Sequence, residues 1–524
     1  MSEKESTRIT RAAGVVSGAT LVSRILGFVR DMVVAYFFGS GMTADAFFVA
    51  FRLPNLLRRL FAEGALSVAF IPVFTEYLRK HSQDEALRMA QTVFMALSLT
   101  LLAVTLLGEI LAPALVWVIA PGFAEDPEKY RITIQLTRIT FPYIFFIGLV
   151  ALCQGVLNSL RHFAAPALSP ALLNVFMICG VYFWSLAFAD PIYGLAIGAL
   201  AGGAAQLAMQ APFMKKRGFS FRPRFDFSHP ALKRILLLMG PAALGSAIYQ
   251  FNIVVGTLLA SLLPQGSVSY LYYADRIVEF PLGVFAIALG TAVLPSMSRH
   301  TADNDIPGLI SAFSHAMRLV IFIMVPASVG LIVLRHPIVE LIYQRGEFTS
   351  LSTRMTAEAL LYYTLGLWAF SSTRILTSAY YAMQDTKTPV KVACIAFPAN
   401  ILFSLVLMGP LKHGGLALAT SLASALNVVV LLLILKRRLH RLDGRAILES
   451  FMKTMFASLV MAAALYALLS FPVPGGRLVN LILLLAAGVA VFGLASLALK
   501  SAELKELLST YRPQKGQSGK DAPS

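Results

Sequence analysis

The chain has 524 residues, 57% of them hydrophobic and 14% charged, with a mean hydropathy of +0.72. Soluble proteins carry about a quarter charged residues, so this composition excludes an ordinary soluble domain and points to a membrane protein. The formal net charge of +17 calls for no nucleic acid, because most of the basic residues fall between apolar stretches, where they favour anionic membrane lipid.

Taken in chain order, Gly, Pro and charge clusters cut the sequence into fourteen apolar stretches. They cover residues 10–38, 43–78, 88–120, 132–160, 166–188, 191–214, 232–263, 267–298, 310–334, 356–382, 388–409, 414–435, 446–471 and 477–499. About 20 apolar residues suffice for a helix to cross a bilayer, so each is a candidate span and the longer ones tilt or project. The N-terminus, MSEKESTRITRAAG, leads into the first stretch with no small-residue cleavage site, which predicts an uncleaved span and not a signal peptide. Cys153, Cys179 and Cys394 are far apart within apolar runs and carry no disulfide or metal signature.

The connections set an orientation. Alternate loops and the two termini hold 27 basic residues, among them Lys215, Lys216, Arg217, Arg222, Arg224, Lys233 and Arg234. The opposite loops hold 7, namely Lys129, Arg131, Arg335, Arg345, Arg354, Lys412 and Arg477. The positive-inside rule then places both termini in the cytoplasm. In the longest outer connection, PIVELIYQRGEF reads as a short amphipathic helix, either resting on the membrane or acting as a gate.

The chain also repeats itself at about 223 residues. ALSVAFIPVF (Ala65–Phe74) aligns with ALGTAVLPSM (Ala288–Met297), and Pro166 with Pro389. The basic triplet Lys215, Lys216, Arg217 aligns with Lys436, Arg437, Arg438. Six spans per repeat bring both halves into the membrane in the same direction. The expected fold is an all-α polytopic membrane protein of about 14 transmembrane helices. Two parallel six-helix lobes surround a central cavity, and two extra C-terminal helices lie outside the repeat. The expected organisation is an N-terminal lobe over 1–230, a C-terminal lobe over 231–440, the appended spans over 441–508 and a disordered tail over 509–524.

Ten basic side chains remain inside the stretches: Arg24, Arg30, Arg52, Arg58, Arg59, Arg138, Arg276, Arg318, Arg374 and Lys453. An arginine at the bilayer centre costs about 2.5–3.5 kcal/mol, so several within one hairpin must face protein, water or a ligand. Arg318 and Lys453 lie near cytoplasmic ends and can snorkel, and Arg138 can do so at the opposite face. Arg374 lies deep enough in its span to line a cavity.

Arg24 and Asp31, in SRILGFVRD, are seven apart on one helix face with Gly27 between them. Two readings stand: an ion pair of Asp31 with Arg24 or Arg30, or cations held for a ligand. Asp31, Asp45 and Glu63 cannot balance the five arginines of the first two spans. In YYADRIVEFP, Arg276 and Glu279 are spaced for an i,i+3 pair beside Asp275. Guanidinium forks suit phosphate oxygens and keep their charge, so the expected ligand is an anion, a phosphate or diphosphate on a large carrier.

Four blocks carry a resemblance. The run from Ser23 to Phe74, the run GSVSYLYYADRIVEFPLGVFAIALGTAVLPSMS, and QDTKTPVK with LIYQRGEFT resemble the MurJ (MviN) family of the MOP flippase and exporter superfamily. The resemblance implies a lipid II flippase of the bacterial inner membrane, a transporter and not an enzyme. It would move the undecaprenyl-diphosphate-linked peptidoglycan precursor from the cytoplasmic to the periplasmic leaflet, with cell-wall synthesis proteins as further partners. It places cavity residues at Arg24, Arg30, Asp31, Asp45, Arg58 and Arg276, with Arg52, Arg59, Asp275, Glu279 and Arg374 as secondary candidates. No cofactor or bound metal is implied.

The coupling ion stays open among sodium, a proton and the membrane potential. The spans 232–263 and 388–409 contain no Asp or Glu, leaving only backbone carbonyls with Asn252 or Asn400 for a sodium site. Another MOP-type transporter, such as an O-antigen flippase, is the alternative. A cationic-drug exporter would need an acidic pocket. A polyprenyl-processing enzyme would need a metal-binding carboxylate cluster or a catalytic soluble loop, and neither is visible.

Overall fold

The computed structural model describes residues 3–184, 190–471 and 475–510, and no strand occurs among them. The expected tail lies, from residue 511 on, outside the described residues. Two compact units form, one from Met1–Tyr272 with Tyr343–Ser352 and the other from Tyr273–Ile342 with Thr353–Ser524.

The first unit opens with α1 (Glu3–Phe38) and α2 (Met42–Leu57), which passes through a π-helical stretch (Arg58–Leu66) into α3 (Ser67–Lys80). There follow α4 (Gln83–Ile110), α5 (Ala112–Ile119), α6 (Pro127–Thr140), α7 (Tyr143–Ser159), α8 (Ala164–Cys179), α9 (Ile192–Lys216) and α10 (Pro230–Ser261). Its core gathers Phe70 and Phe74 of α3, Met89 of α4, Val156 of α7 and Met214 of α9, none more than 1% exposed. Helix α11 (Ser267–Pro281) begins in this unit and ends in the other.

The second unit continues through a π-helical stretch (Leu282–Ala286) into α12 (Ile287–Ala302), then α13 (Ile306–Tyr343), α14 (Ser350–Thr364) and α15 (Leu367–Ala382). It is completed by α16 (Lys387–Leu439), α17 (Gly444–Leu469), α18 (Gly476–Ala498) and α19 (Ala502–Thr510). Helix α16 is two arms. Lys412 breaks it at φ 49° and ψ −129°, and a Cβ on Gly415 would lie 2.2 Å from the Leu407 carbonyl oxygen, so only glycine lets the arms turn there.

The described residues of the fourteen predicted stretches are mostly helical, with breaks inside them at Leu111, Phe141–Pro142 and Leu365–Gly366. Nine helical stretches among the described residues are long and apolar enough to cross a membrane by length and composition. This is a multi-pass helical membrane protein.

The two halves share irregularities as well as sequence. The π-helical stretches at Arg58–Leu66 and Leu282–Ala286 stand about one repeat apart. So do the breaks at Phe141–Pro142 and Leu365–Gly366, which split α6 from α7 and α14 from α15. Such departures from the i,i+4 ladder bend a helix or re-aim its side chains, and they recur at functional sites.

The QDTKTPVK block has a structural cause. The Asp385 carboxylate accepts from the Lys387 and Thr388 amides at 3.1 and 3.0 Å, from the Thr388 hydroxyl at 2.7 Å, and from Arg438 of the second arm at 2.7 Å. It thus caps α16 and clips its two ends together. The Thr388 amide and hydroxyl, with Arg438, hold this carboxyl below its ordinary range.

The outer connection differs from expectation. PIVELIYQRGEF does not form a separate helix: α13 runs on through Pro337 to Tyr343, and the following residues fold back as part of the first unit.

Candidate functional site

Arg30 and Asp31 are 7% and 3% exposed, and they pair with each other. Arg30 donates from Nε and Nη2 to Asp31 Oδ1 at 3.1 and 2.7 Å. Nη2 also donates to the Tyr272 hydroxyl at 3.2 Å, and that hydroxyl donates to Asp31 Oδ1 at 3.0 Å. Nη1 donates to Asn174 Oδ1 at 3.0 Å, while Asn174 Nδ2 donates back to the Ser23 carbonyl at 3.1 Å. Phe48 stacks on Tyr272 with ring centroids 3.9 Å apart. The network ties α1 to α8 and to the opening of α11, and it selects Arg30 as the partner of Asp31.

Arg24 is different. Six residues earlier on α1, about 9 Å along the axis, it is exposed and makes no hydrogen bond or ion pair among the described residues. Its neighbours Leu21, Val22, Ile25 and Phe28 are exposed apolar side chains. Within an apolar span it is therefore a charge left uncommitted, next to a pair already neutralised.

Asp45 is 1% exposed at the start of α2 and is fully engaged. Its Oδ2 accepts from Lys129 Nζ at 2.9 Å and from the Gly266 amide at 2.8 Å. Its Oδ1 accepts from the Ser269 amide at 2.9 Å and the Ser269 hydroxyl at 2.6 Å. Lys129, counted from sequence as a loop cation, is 6% exposed and sits 3.9 Å over the Phe123 ring. Asp45 and the Arg30–Asp31 pair thus both fasten the first turns of α11, through Ser269 and Tyr272.

The other candidates divide the same way. Arg58 is half-buried and donates to Asn55 at 3.2 Å, and Arg52 is also half-buried. Arg59 is half-exposed with no partner among the described residues. In the second unit, Arg276 and Glu279 form the i,i+3 pair at 2.7 Å, and Asp275 is exposed. The Arg374 side chain is exposed on α15 and makes no hydrogen bond or ion pair among the described residues. Its Cβ would stand 3.7 Å from a Cβ on Gly290 of α12. The three cations expected to snorkel have anchors. Arg318 lies 3.7 Å from Glu503 of α19, Lys453 lies 2.8 Å from Glu449, and Arg138 donates to the Glu109 carbonyl at 3.3 Å.

The end of α1 carries a second feature that sequence did not reveal. The Glu347 amide donates to the Tyr36 carbonyl at 2.9 Å. Gly39 and Gly346 both have φ +57°, and a Cβ on either would stand 2.3 Å from a carbonyl oxygen of the facing segment, Glu347 for one and Tyr36 for the other. The Ser40 and Ser352 hydroxyls lie 2.6 Å apart. Residues 343–352 are thus strapped onto α1, although the chain on both sides of them belongs to the second unit. Replacing Ser40 and Ser352 by cysteine is expected to give a disulfide on mild oxidation, since the two side chains already point at each other. Non-reducing peptide mapping checks it. Recovery of two free thiols under oxidation would contradict the contact.

Many apolar helices long enough to cross a membrane, with π-helical stretches at Arg58–Leu66 and Leu282–Ala286 about one sequence repeat apart, are the architecture of a transporter. A family model described as "Lipid II flippase MurJ" matches residues 34–487, and the chain belongs to that family. It is 39% identical over 433 residues to the "Probable lipid II flippase MurJ" of Vibrio cholerae, covering 81% of this chain and 82% of that one. It is 35% identical over 460 residues to the "Lipid II flippase MurJ" of Burkholderia cenocepacia, covering 87% and 89%. Among solved structures it matches "Lipid II flippase MurJ, inward closed conformation" at 30% identity and TM-score 0.79, over 94% of this chain and 99% of that one. An inward-facing multidrug MATE transporter of the MOP superfamily shares the fold alone, at 14% identity and TM-score 0.67.

Proposed function

We propose that the chain is a lipid II flippase, carrying the polyprenyl-diphosphate-linked peptidoglycan precursor from the cytoplasmic to the periplasmic leaflet of the bacterial inner membrane. Both termini lie in the cytoplasm, as the 27-to-7 distribution of loop cations favours. The observation that carries the reading is Arg24, a guanidinium with no partner among the described residues, set among the exposed apolar side chains of Leu21, Val22, Ile25 and Phe28. A diphosphate supplies the oxygens it lacks, in the two-pronged geometry guanidinium favours. The exposed Leu21, Val22, Ile25 and Phe28 offer the polyprenyl tail a surface like lipid.

The paired cations act second. Arg30 is held by Asp31 and Arg276 by Glu279, so each is neutralised while no substrate is present. Phosphate competes with those carboxylates on entry, and the carboxylates reclaim the arginines on release. The arginines face first the cytoplasmic and then the periplasmic side, where cell-wall polymerising enzymes consume the precursor. The membrane potential, worth about 2.3 kcal/mol per charge per 100 mV, is sufficient to bias such a cycle. In bacterial cells depleted of their own flippase, this chain is expected to restore lipid II at the outer leaflet, read by cleavage with an enzyme added to spheroplasts. Lipid II that stays inaccessible despite normal insertion of the chain would overturn the reading.

A further inference from the structure

The connection from α9 to α10 alternates aromatic and basic residues: RGFSFRPRFDFSHP. Its phenylalanines have two different fates. Phe219 is 3% exposed in the core of the first unit, and Phe221 packs beside it, both edge-on to Phe94 with ring centroids 5.8 and 5.5 Å away. Phe225 and Phe227 instead stand 66% and 50% exposed, with centroids 6.2 Å apart. Arg222 and Arg224, interleaved with them, are exposed as well.

This is a shaped loop. The Phe219 amide returns to the Met214 carbonyl at 3.1 Å, and Arg217 donates to the Leu160 carbonyl at 3.1 Å. Gln83 donates to the Arg217 carbonyl at 3.3 Å. Asp226 accepts from the Ser228 hydroxyl at 3.0 Å, and His229 Nδ1 accepts the Ala231 amide at 3.2 Å to cap α10. The buried Phe219, the half-buried Phe221 and these bonds hold the other two out. Two exposed phenylalanines fixed in water would be a standing cost, which an apolar contact removes.

Position and charge identify the contact. The loop leaves α9, one of the helices apolar enough to cross a membrane, and enters α10, so it lies at the bilayer boundary. Lys215, Lys216, Arg217, Arg222, Arg224 and Lys233 are exposed around it, and Asp226 is its one acid. Arg234 is already engaged by Glu76 at 2.8 Å. We propose that residues 217–229 form a fixed anchor on the inner leaflet, with Phe225 and Phe227 inserted at headgroup depth and Arg222 and Arg224 on the phosphates of anionic phospholipid. Aromatic side chains favour that depth, and clustered cations favour an anionic surface. Because the loop is shaped in advance, little ordering opposes the contact. The inference stands apart from the transported substrate.

The test uses full-length protein in nanodiscs with Phe225→Trp as the probe, and with the signal of Trp117, Trp184 and Trp368 subtracted using the unsubstituted chain. Brominated phosphatidylglycerol is expected to quench the probe at least twice as strongly as brominated phosphatidylcholine. Adding Arg222→Gln with Arg224→Gln should equalise the two lipids. As a readout without the probe, the thermal midpoint of the unsubstituted chain should rise with phosphatidylglycerol at low salt, and less so in the double glutamine variant. Equal quenching by both lipids, no quenching, or a midpoint indifferent to lipid charge would overturn the proposal.

Discussion

Asp45→Ala is expected to destabilise the protein by about 3–5 kcal/mol, the usual cost of leaving a buried charge without its partner. The carboxylate accepts from Lys129, Gly266 and Ser269 at 2.6–2.9 Å. Alanine leaves an ammonium that is 6% exposed and orphans two backbone amides. Lys129→Met removes the charge while keeping the stem over Phe123, and Asp45 then retains its amide and hydroxyl donors, so this variant should cost less. The double variant should recover part of the Asp45→Ala loss, because the stranded ammonium is gone. Equilibrium unfolding in mixed micelles of the four proteins measures the coupling. Additive losses would show that Asp45 and Lys129 do not share one interaction.

Arg24→Ala has the opposite profile. It removes no partner, since Arg24 has none among the described residues, and it relieves a cation in an apolar span that costs about 2.5–3.5 kcal/mol at full depth. Stability should hold or rise. Transport should fall about ten- to a hundredfold, since hydrogen bonds to a charged group contribute about 1.5–3 kcal/mol each. Arg24→Lys keeps the charge but not the fork and should fall between. Arg30→Ala makes the contrast, because it strands a buried Asp31 and should lose stability and transport together. The Arg24 and Arg30 variants thus separate an arginine proposed to meet an anion from one that holds the protein together.

What could be read in advance follows the range of the physics. Apolar run length is a local property, and it located the long apolar helices, whereas the short polar α19 (Ala502–Thr510) lay outside every predicted stretch. The i,i+3 spacing of Arg276 and Glu279 is also local, and the pair forms. Charges left inside apolar runs announced the residues to examine. What was hidden is long in sequence. Lys129 stands 84 residues from Asp45, and Asn174 and Tyr272 stand 144 and 242 from Arg30. Backbone amides that bind a carboxylate, as Gly266 and Ser269 do, leave no mark in side-chain chemistry. The strap at 343–352 was hidden for the same reason. Amphipathic spacing suggested a separate helix there, whereas its hold on α1 comes from two left-handed glycines and a carbonyl on a distant segment.

On this reading the chain moves lipid II, and Arg24 is the cation its diphosphate meets. Purified protein in sealed vesicles containing lipid II, with a lipid II-cleaving enzyme outside, reads this directly. The unsubstituted chain should expose the inner pool, and well-folded Arg24→Ala should leave it protected. Equal exposure by both proteins, or no exposure by either, would contradict the account.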